Sequence, residues 1–231
     1  MTVPDVASVV AKIEDACNRA GRDPKSVKLL AVTKQVPVQT IREAAGMGIT
    51  FFGENRVQEA RLKTLEGAFL GSTLCLIGHL QSNKASIAAR IFGEVHSVDS
   101  GKLAETLGRA SVQYRKEPLP VLMEVNVSLD PAKFGVAPGG ALELARVILK
   151  APGLILRGMM TVAPASKDDD AARSAFKKLF LLREELKGAG VPEENLAELS
   201  MGMSGDYITA IEEGSTMVRI GTAIFGPRRE G

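Results

Sequence analysis

Small and polar residues follow two successive apolar runs near the end of the chain. The runs Glu198–Met201 and Thr216–Ile220 predict strands, and the polar turn 202–205 between them leads into a predicted helix, 206–213. Backbone amides after a strand, together with the amino end of a helix, bind phosphate where no bulky side chain intervenes. The sequence therefore predicts a phosphate site formed by the turn 202–205 and by Gly221 and Thr222, which end the second strand.

Lys34 ends the first apolar run, LLAVTK. With the two-residue period of a strand, Leu30, Val32 and Lys34 share one face. A lysine at the end of an apolar strand loses part of its hydration, which favours the neutral amine that forms a Schiff base with an aldehyde. A rim lysine in a surface ion pair explains the same position. The phosphate site favours the first interpretation, because an aldehyde that carries a phosphate requires both features.

Arg219 lies two residues before Gly221 and is predicted to point the same way, into the protein. A buried guanidinium requires a partner. We expect an acidic, aromatic or ring-nitrogen partner for it. A structural ion pair with a carboxylate of a neighbouring strand is the alternative.

Asn55, His79 and Met160 lie at or just after the ends of other predicted strands. Asn55 can hydrogen-bond a ligand oxygen, and His79 can donate to one or stack beneath a ring. Helix capping by Asn55 or Ser82 explains these polar residues equally well. Met160 is typical of a packing residue.

The sequence shows no standard set of metal ligands. Neither of the two histidines, His79 and His96, has a cysteine beside it, so no zinc site is expected. Cys17 and Cys75 are far apart and are expected to be buried free thiols in a reducing compartment.

Strand-like and helix-like segments alternate along the whole chain. Strict alternation predicts a parallel sheet, and about eight units in this length predict closure into a single (β/α)8 barrel, residues 1–231, with an extra helix at 6–20. An open doubly wound sheet is the alternative, but no G-x-G-x-x-G motif follows the first strand. The predicted strands are Val27–Thr33, Thr50–Gly53, Thr73–Ile77, Glu94–Val98, Leu119–Asn126, Leu154–Met160, Ala197–Met201 and Thr216–Ile220.

Composition excludes several classes of protein. The 231 residues are 45% hydrophobic with a net charge of +2, and the basic residues are scattered, which argues against nucleic-acid binding. No signal peptide precedes the first helix, and no apolar run approaches the roughly 18–20 residues of a membrane span. We therefore expect a cytoplasmic protein without membrane partners. The length leaves no room for a second domain, which favours a monomer.

Several segments occur together, in this order, in one known family: LLAVTK, FFGENRVQE, LIGHLQSNK, HSVDS, KFG, MMTV, and GMSGD followed by AIEEGSTMVRIGTAIFG. On these segments, from about Val6 to Arg228, the chain resembles the pyridoxal phosphate homeostasis protein family, whose fold is like the barrel half of alanine racemase. It departs from that pattern at Leu74 and Cys75 and at the run 162–164, all expected beside the pocket.

The resemblance implies a barrel that binds pyridoxal 5′-phosphate (PLP) as a Schiff base with Lys34. It also implies that Arg219 faces the pyridine nitrogen. The other cofactor-binding residues that it implies are Asn55, His79, Met160, Ser204, Gly205, Gly221 and Thr222.

The family is associated with keeping free PLP low while supplying it to other enzymes. The resemblance therefore implies a protein that holds and delivers PLP with little or no turnover, with apo PLP enzymes and amino acids as possible partners. A weak amino-acid racemase is the alternative, and it would need a second acid or base, such as Tyr207. A Schiff-base aldolase and a non-catalytic interaction module stay open. Lys133 and Lys84 are further lysines that an aldehyde could reach.

Overall fold

The computed structural model describes residues 4–164 and 169–227. Within these ranges, eight parallel strands pair in chain order and close into a barrel, because β1 also pairs with β8. This confirms the predicted barrel and excludes the open sheet. The strands are β1 (Lys28–Val32), β2 (Phe51–Glu54), β3 (Thr73–Leu76), β4 (Glu94–Val98), β5 (Leu119–Glu124), β6 (Leu154–Met160), β7 (Glu198–Met203) and β8 (Met217–Ile220).

Helices connect the strands and cover the barrel from outside, and one further helix precedes β1, as predicted. They are α1 (Val6–Arg19), α2 (Val38–Gly46), α3 (Val57–Leu65), α4 (Ala85–Ile91), α5 (Gly101–Tyr114), α6 (Ala141–Lys150), α7 (Asp169–Gly188), α8 (Tyr207–Glu212) and α9 (Thr222–Phe225). None of the helices in the described ranges is long and apolar enough to span a bilayer.

The strand residues alternate between two apolar clusters, as the two-residue period requires. Leu30, Cys75 and Met217 form a small buried cluster inside the barrel. Their neighbours in sequence, such as Ala31 and Val218, belong to the large cluster between strands and helices. The face that carries Leu30 and Val32 is therefore the inner face of β1, in agreement with the sequence pattern.

Local capping explains part of the helix boundaries. Ser100 caps α5, its Oγ accepting from the amide of Leu103 at 3.4 Å. Pro37 precedes α2 as its N-cap. The greatest difference is at β7, which runs to Met203 rather than to Met201 and so includes part of the predicted turn.

Gly158 shows how closely two strands approach. The pairing of β5 with β6 shifts register between Val121 and Leu122, where Leu122 lies opposite Gly158. A Cβ added at Gly158 would lie 1.8 Å from the carbonyl oxygen of Glu198 on β7. No side chain fits in that space, because the obstacle is backbone.

The change Gly158→Ala is therefore expected to destabilise the protein by roughly 3 kcal/mol or more, since β6 and β7 must separate. Gly188→Ala is the control, because a Cβ there meets nothing within 4 Å. Thermal unfolding followed by circular dichroism should show a clear drop in Tm for the first variant and little change for the second. Equal melting temperatures would contradict the close approach.

Candidate functional site

The ends of β7 and β8 meet at the carboxyl end of the barrel. The Gly221 amide donates to Ser204 Oγ at 3.3 Å, so the two predicted phosphate-binding turns are in contact. A Cβ added at Gly221 would lie 3.4 Å from the carbonyl oxygen of Val32 on β1. The amide that was expected to be open thus has a hydroxyl partner, and Gly221 lies directly beside the strand that leads to Lys34. Thr222 begins α9.

Lys34 is half-buried in the turn that follows β1. The next residue, Gln35, has a φ of 61°, which is unusual for a residue with a side chain. This sharp turn is held by hydrogen bonds on both sides of Lys34.

The ammonium of Lys63, on α3, holds that turn through hydrogen bonds. It donates to the carbonyl oxygen of Thr33 at 2.6 Å, and to Oε1 of Glu54 and of Glu59 at 2.7 Å each. Glu54 Oε1 also accepts from Thr33 Oγ1, and Glu59 Oε1 accepts from the Gln35 amide, both at 2.6 Å. Because Lys63 has three N–H donors, all of them are used. The backbone before and after Lys34 is therefore fixed by one buried cation and two carboxylates.

The pKa values of these two carboxylates are shifted in opposite directions. Burial raises the pKa of Glu54, although Lys63 and Thr33 oppose the shift. Glu59 is also desolvated, but the hydrogen bonds from Lys63 and from the Gln35 amide lower its pKa overall. Glu59 is thus the firmly ionised member of the network.

Arg219 is buried at the end of β8, as predicted, and its partners within the chain are a hydroxyl and two backbone carbonyl groups. Its Nη1 donates to the carbonyl oxygen and Oγ of Ser200 at 2.6 and 2.8 Å, and its Nη2 donates to the carbonyl oxygen of Thr161 at 2.8 Å. Burial lowers its pKa to about 10, which the charges of Asp206 and Glu124 oppose, so the group stays cationic at neutral pH. No carboxylate in the described ranges bonds directly to Arg219, so the alternative of a structural ion pair is wrong, while a ring-nitrogen partner stays a prediction. Arg219 joins β8 to Ser200 within β7 and to Thr161 after β6.

Asn55 and His79 follow β2 and β3, and neither is explained by capping. The N-cap of α3 is Arg56, and the N-cap of α4 is Lys84. Asn55 Oδ1 is buried without a hydrogen-bond partner among the residues that the structure describes. The two loops are close, because a Cβ at Gly78 would lie 2.3 Å from the Asn55 carbonyl oxygen.

The loop after β5 contacts the loop after β3, which carries His79. The ring of Phe134 stacks on the imidazole of His79 with centroids 3.8 Å apart and 11° between the planes. His79 Nδ1 lies 3.2 Å from Oδ2 of Asp99, which follows β4. Lys133 donates to the carbonyl oxygens of Val162 and Ala163, after β6. His79 does stack on a ring, but in this structure the ring belongs to the chain itself.

Glu124, at the end of β5, is a residue of the barrel mouth that the sequence analysis missed. Its Oε2 is buried and has no hydrogen-bond partner in the described ranges. Burial raises its pKa to about 7, with a further increase from the charge of Asp99 and a decrease from that of Arg219. Met160, opposite Glu124 in the sheet, is fully buried. The signal for Glu124 was available, since an acid that ends the apolar run LPVLME is unusual.

At the other end of the barrel, the structure changes the interpretation of Cys75. Cys75 pairs with Glu94, the first residue of β4, and its Sγ lies 3.9 Å from Oε2 of that residue. The same carboxylate oxygen lies 2.9 Å from Nε2 of His96. The premise that neither histidine has a cysteine nearby is therefore wrong, and so is the expectation that Cys75 lies beside the pocket.

Comparison with known proteins agrees with this architecture. The family model for the alanine racemase N-terminal domain matches residues 5–229. A curated pyridoxal phosphate homeostasis protein from Pasteurella multocida is 43% identical over 227 residues, which cover 97% of this chain and 96% of that one. The chain belongs to the pyridoxal phosphate homeostasis protein family.

Solved structures of other proteins have the same barrel fold. PipY from Synechococcus elongatus, solved with PLP bound, is 36% identical with a TM-score of 0.81, and the match covers 93% of this chain and all of PipY. Alanine racemase from Corynebacterium glutamicum is only 15% identical with a TM-score of 0.70, covering 97% of this chain and 62% of the racemase. The second likeness shows the fold alone. The family barrel is thus built from the same elements as the barrel of that larger protein.

The change Glu124→Gln is expected to remove a pH dependence of stability. The pKa of Glu124 is about 7 in the folded chain against an ordinary 4.5, so the stabilisation from its bound proton is complete below pH 4.5 and is lost as the pH rises through 7. The loss has an upper limit of about 3 kcal/mol. Urea unfolding at several pH values should show wild type falling relative to the variant over this interval.

The matched control is Glu105→Gln, which changes an exposed carboxylate on α5. That variant should keep the pH profile of wild type. A Glu124→Gln profile parallel to wild type from pH 4.5 to 7 would contradict the raised pKa.

Proposed function

We propose that this chain binds pyridoxal 5′-phosphate and acts in its intracellular homeostasis, as the names of its relatives describe. The observation that carries the proposal is the contact between the end of β8 and the end of β1. Gly221, whose amide reaches Ser204, lies beside Val32, two residues before Lys34. This neighbourhood supports a site in which an amine and a phosphate-binding turn act on one ligand.

The residues present fit this cofactor. Asn55 Oδ1 is a buried acceptor that lacks a partner among the described residues, as expected for a group that meets a ligand. A Cβ at Gly205 would meet nothing within 4 Å, so this turn is open to a phosphate. The first amides of a helix have no acceptor within the helix, which leaves the amino end of α9 suited to an anion.

Each residue has a distinct part in the proposal. Lys34 binds the aldehyde carbon, while Ser204, Gly205, Gly221 and Thr222 hold the phosphate. When bound, PLP supplies an aldehyde that condenses reversibly with amines. Asn55, His79 and Met160 line the ring.

The charge of Arg219 explains why holding is favoured over turnover. A guanidinium donates hydrogen bonds and accepts none, so beside the ring nitrogen it would leave that nitrogen unprotonated. An unprotonated ring is a weaker electron sink. The hydrogen bonds of Arg219 to Ser200 and Thr161 restrain it from leaving this position.

The proposal includes a cytoplasmic, monomeric protein whose partners are apo PLP enzymes and amino acids. The racemase alternative gains no support from Tyr114, which ends α5 and packs against the guanidinium of Arg90. Tyr207 begins α8 and is buried. We therefore propose no second function.

The change Lys34→Ala is expected to abolish the visible absorption band that forms when PLP is added to the protein. The side chain that binds the aldehyde is then missing, while the phosphate turns are intact. Lys12→Ala is the control, because Lys12 is an exposed lysine on α1. Borohydride reduction followed by peptide mapping should place the label of wild type on Lys34. An unchanged band in Lys34→Ala would contradict this assignment.

Delivery is tested with the loaded protein and an apo PLP enzyme. We expect the loaded protein to activate the enzyme faster than its measured rate of PLP release into buffer, because the aldehyde is exchanged between amines directly. Loaded protein separated from the enzyme by a dialysis membrane is the control for free diffusion. If the apo enzyme is activated equally fast with and without the membrane, direct delivery is contradicted. Cofactor storage is then the function.

A further inference from the structure

Three potential metal ligands lie together at the amino end of the barrel, opposite the proposed PLP site. They are Cys75 on β3 and Glu94 and His96 on β4, and one ligand atom from each lies within 4.8 Å of the others. Cys75 and His96 are completely buried, and the Glu94 side chain is 16% exposed. We name these three residues the floor cluster.

We propose that the floor cluster binds a divalent transition metal, with Zn²⁺ as the ion that it suits best. Thiolate, imidazole and carboxylate are the three ligand types that zinc accepts in proteins. In a tetrahedral zinc site the ligand atoms lie about 3.3–3.8 Å apart. The observed separations of 3.9 Å (Cys75 to Glu94) and 2.9 Å (Glu94 to His96) lie on either side of that range.

One buried acceptor near the floor cluster has no hydrogen-bond partner within the described ranges. It is Oε2 of Glu198, whose charge acts on Cys75. Glu198 begins β7, and its other oxygen accepts from Lys28 at 2.6 Å. A buried unpaired polar group costs about 1–3 kcal/mol, so it normally marks a missing water, ion or ligand. The Glu198 carboxylate is therefore our candidate for a fourth ligand.

The charges around the cluster suit a cation. The carboxylate of Glu94 is one of its three members, and Glu198 adds a second carboxylate, which is paired at 2.6 Å with the part-exposed ammonium of Lys28. A divalent ion that binds Cys75 displaces the thiol proton to solvent, so the thiolate and the Glu94 carboxylate together balance its two positive charges.

The ion has a route to the site. The side chains of Glu94 and Glu198 are partly exposed, by 16% and 15%, so the floor is reached from solvent at the amino end of the barrel. The site therefore needs no opening of the barrel and no contact with the PLP site. It goes beyond the proposed function and does not depend on it.

Cobalt titration of the purified metal-free chain tests the proposal, because Co²⁺ replaces zinc and its bond to a thiolate gives a near-ultraviolet charge-transfer band. We expect wild type to show this band at one equivalent and to lose it when zinc is added. Cys75→Ser should lose the band. Cys17→Ser, which changes the other buried cysteine, should keep it. Absence of the band in wild type, or its persistence in Cys75→Ser, would overturn the proposal.

Two further variants keep the test decisive if Cys75→Ser folds poorly. Glu94→Gln preserves size and should weaken cobalt binding at least tenfold, and Lys34→Ala should leave the band unchanged. Circular dichroism verifies that each variant is folded. Wild-type affinity in folded Glu94→Gln would show that the carboxylate is not a ligand and would overturn the proposed set.

Discussion

Two buried cations near the carboxyl end of the barrel, Arg219 and Lys63, hold the segments that form the proposed site. A cation that leaves water must regain its lost hydrogen bonds from the protein. Arg219 donates to Ser200 and Thr161, and Lys63 donates to Thr33 and to two carboxylates. The geometry of the loops that follow these strands depends on these hydrogen bonds.

These hydrogen bonds hold the backbone segments that form the proposed PLP site. Lys63 and its carboxylates hold the backbone on either side of Lys34, and Arg219 supports the strand that ends in Gly221. The segment that carries Lys34 and the segment that carries Gly221 are thereby fixed by separate networks. The pairing of β1 with β8 makes the two segments neighbours.

The sequence predicted the features that follow from local periodicity. Alternating apolar runs indicated all eight strands and the helix that precedes β1. The sequence did not predict side-chain partners that are distant along the chain. The partners of Arg219 are carbonyl groups of β7 and of the segment after β6, which carry no mark in the sequence. Cys75 and His96 are 21 positions apart, and only the pairing of β3 with β4 makes them neighbours.

Barrel closure also has a consequence for folding. Lys34 and Gly221 are far apart in the sequence, yet they follow adjoining strands through the pairing of β1 with β8. A folding intermediate in which β8 has not paired with β1 lacks the close approach of Gly221 to Val32. The two ends of the proposed site therefore come together only when the barrel is closed.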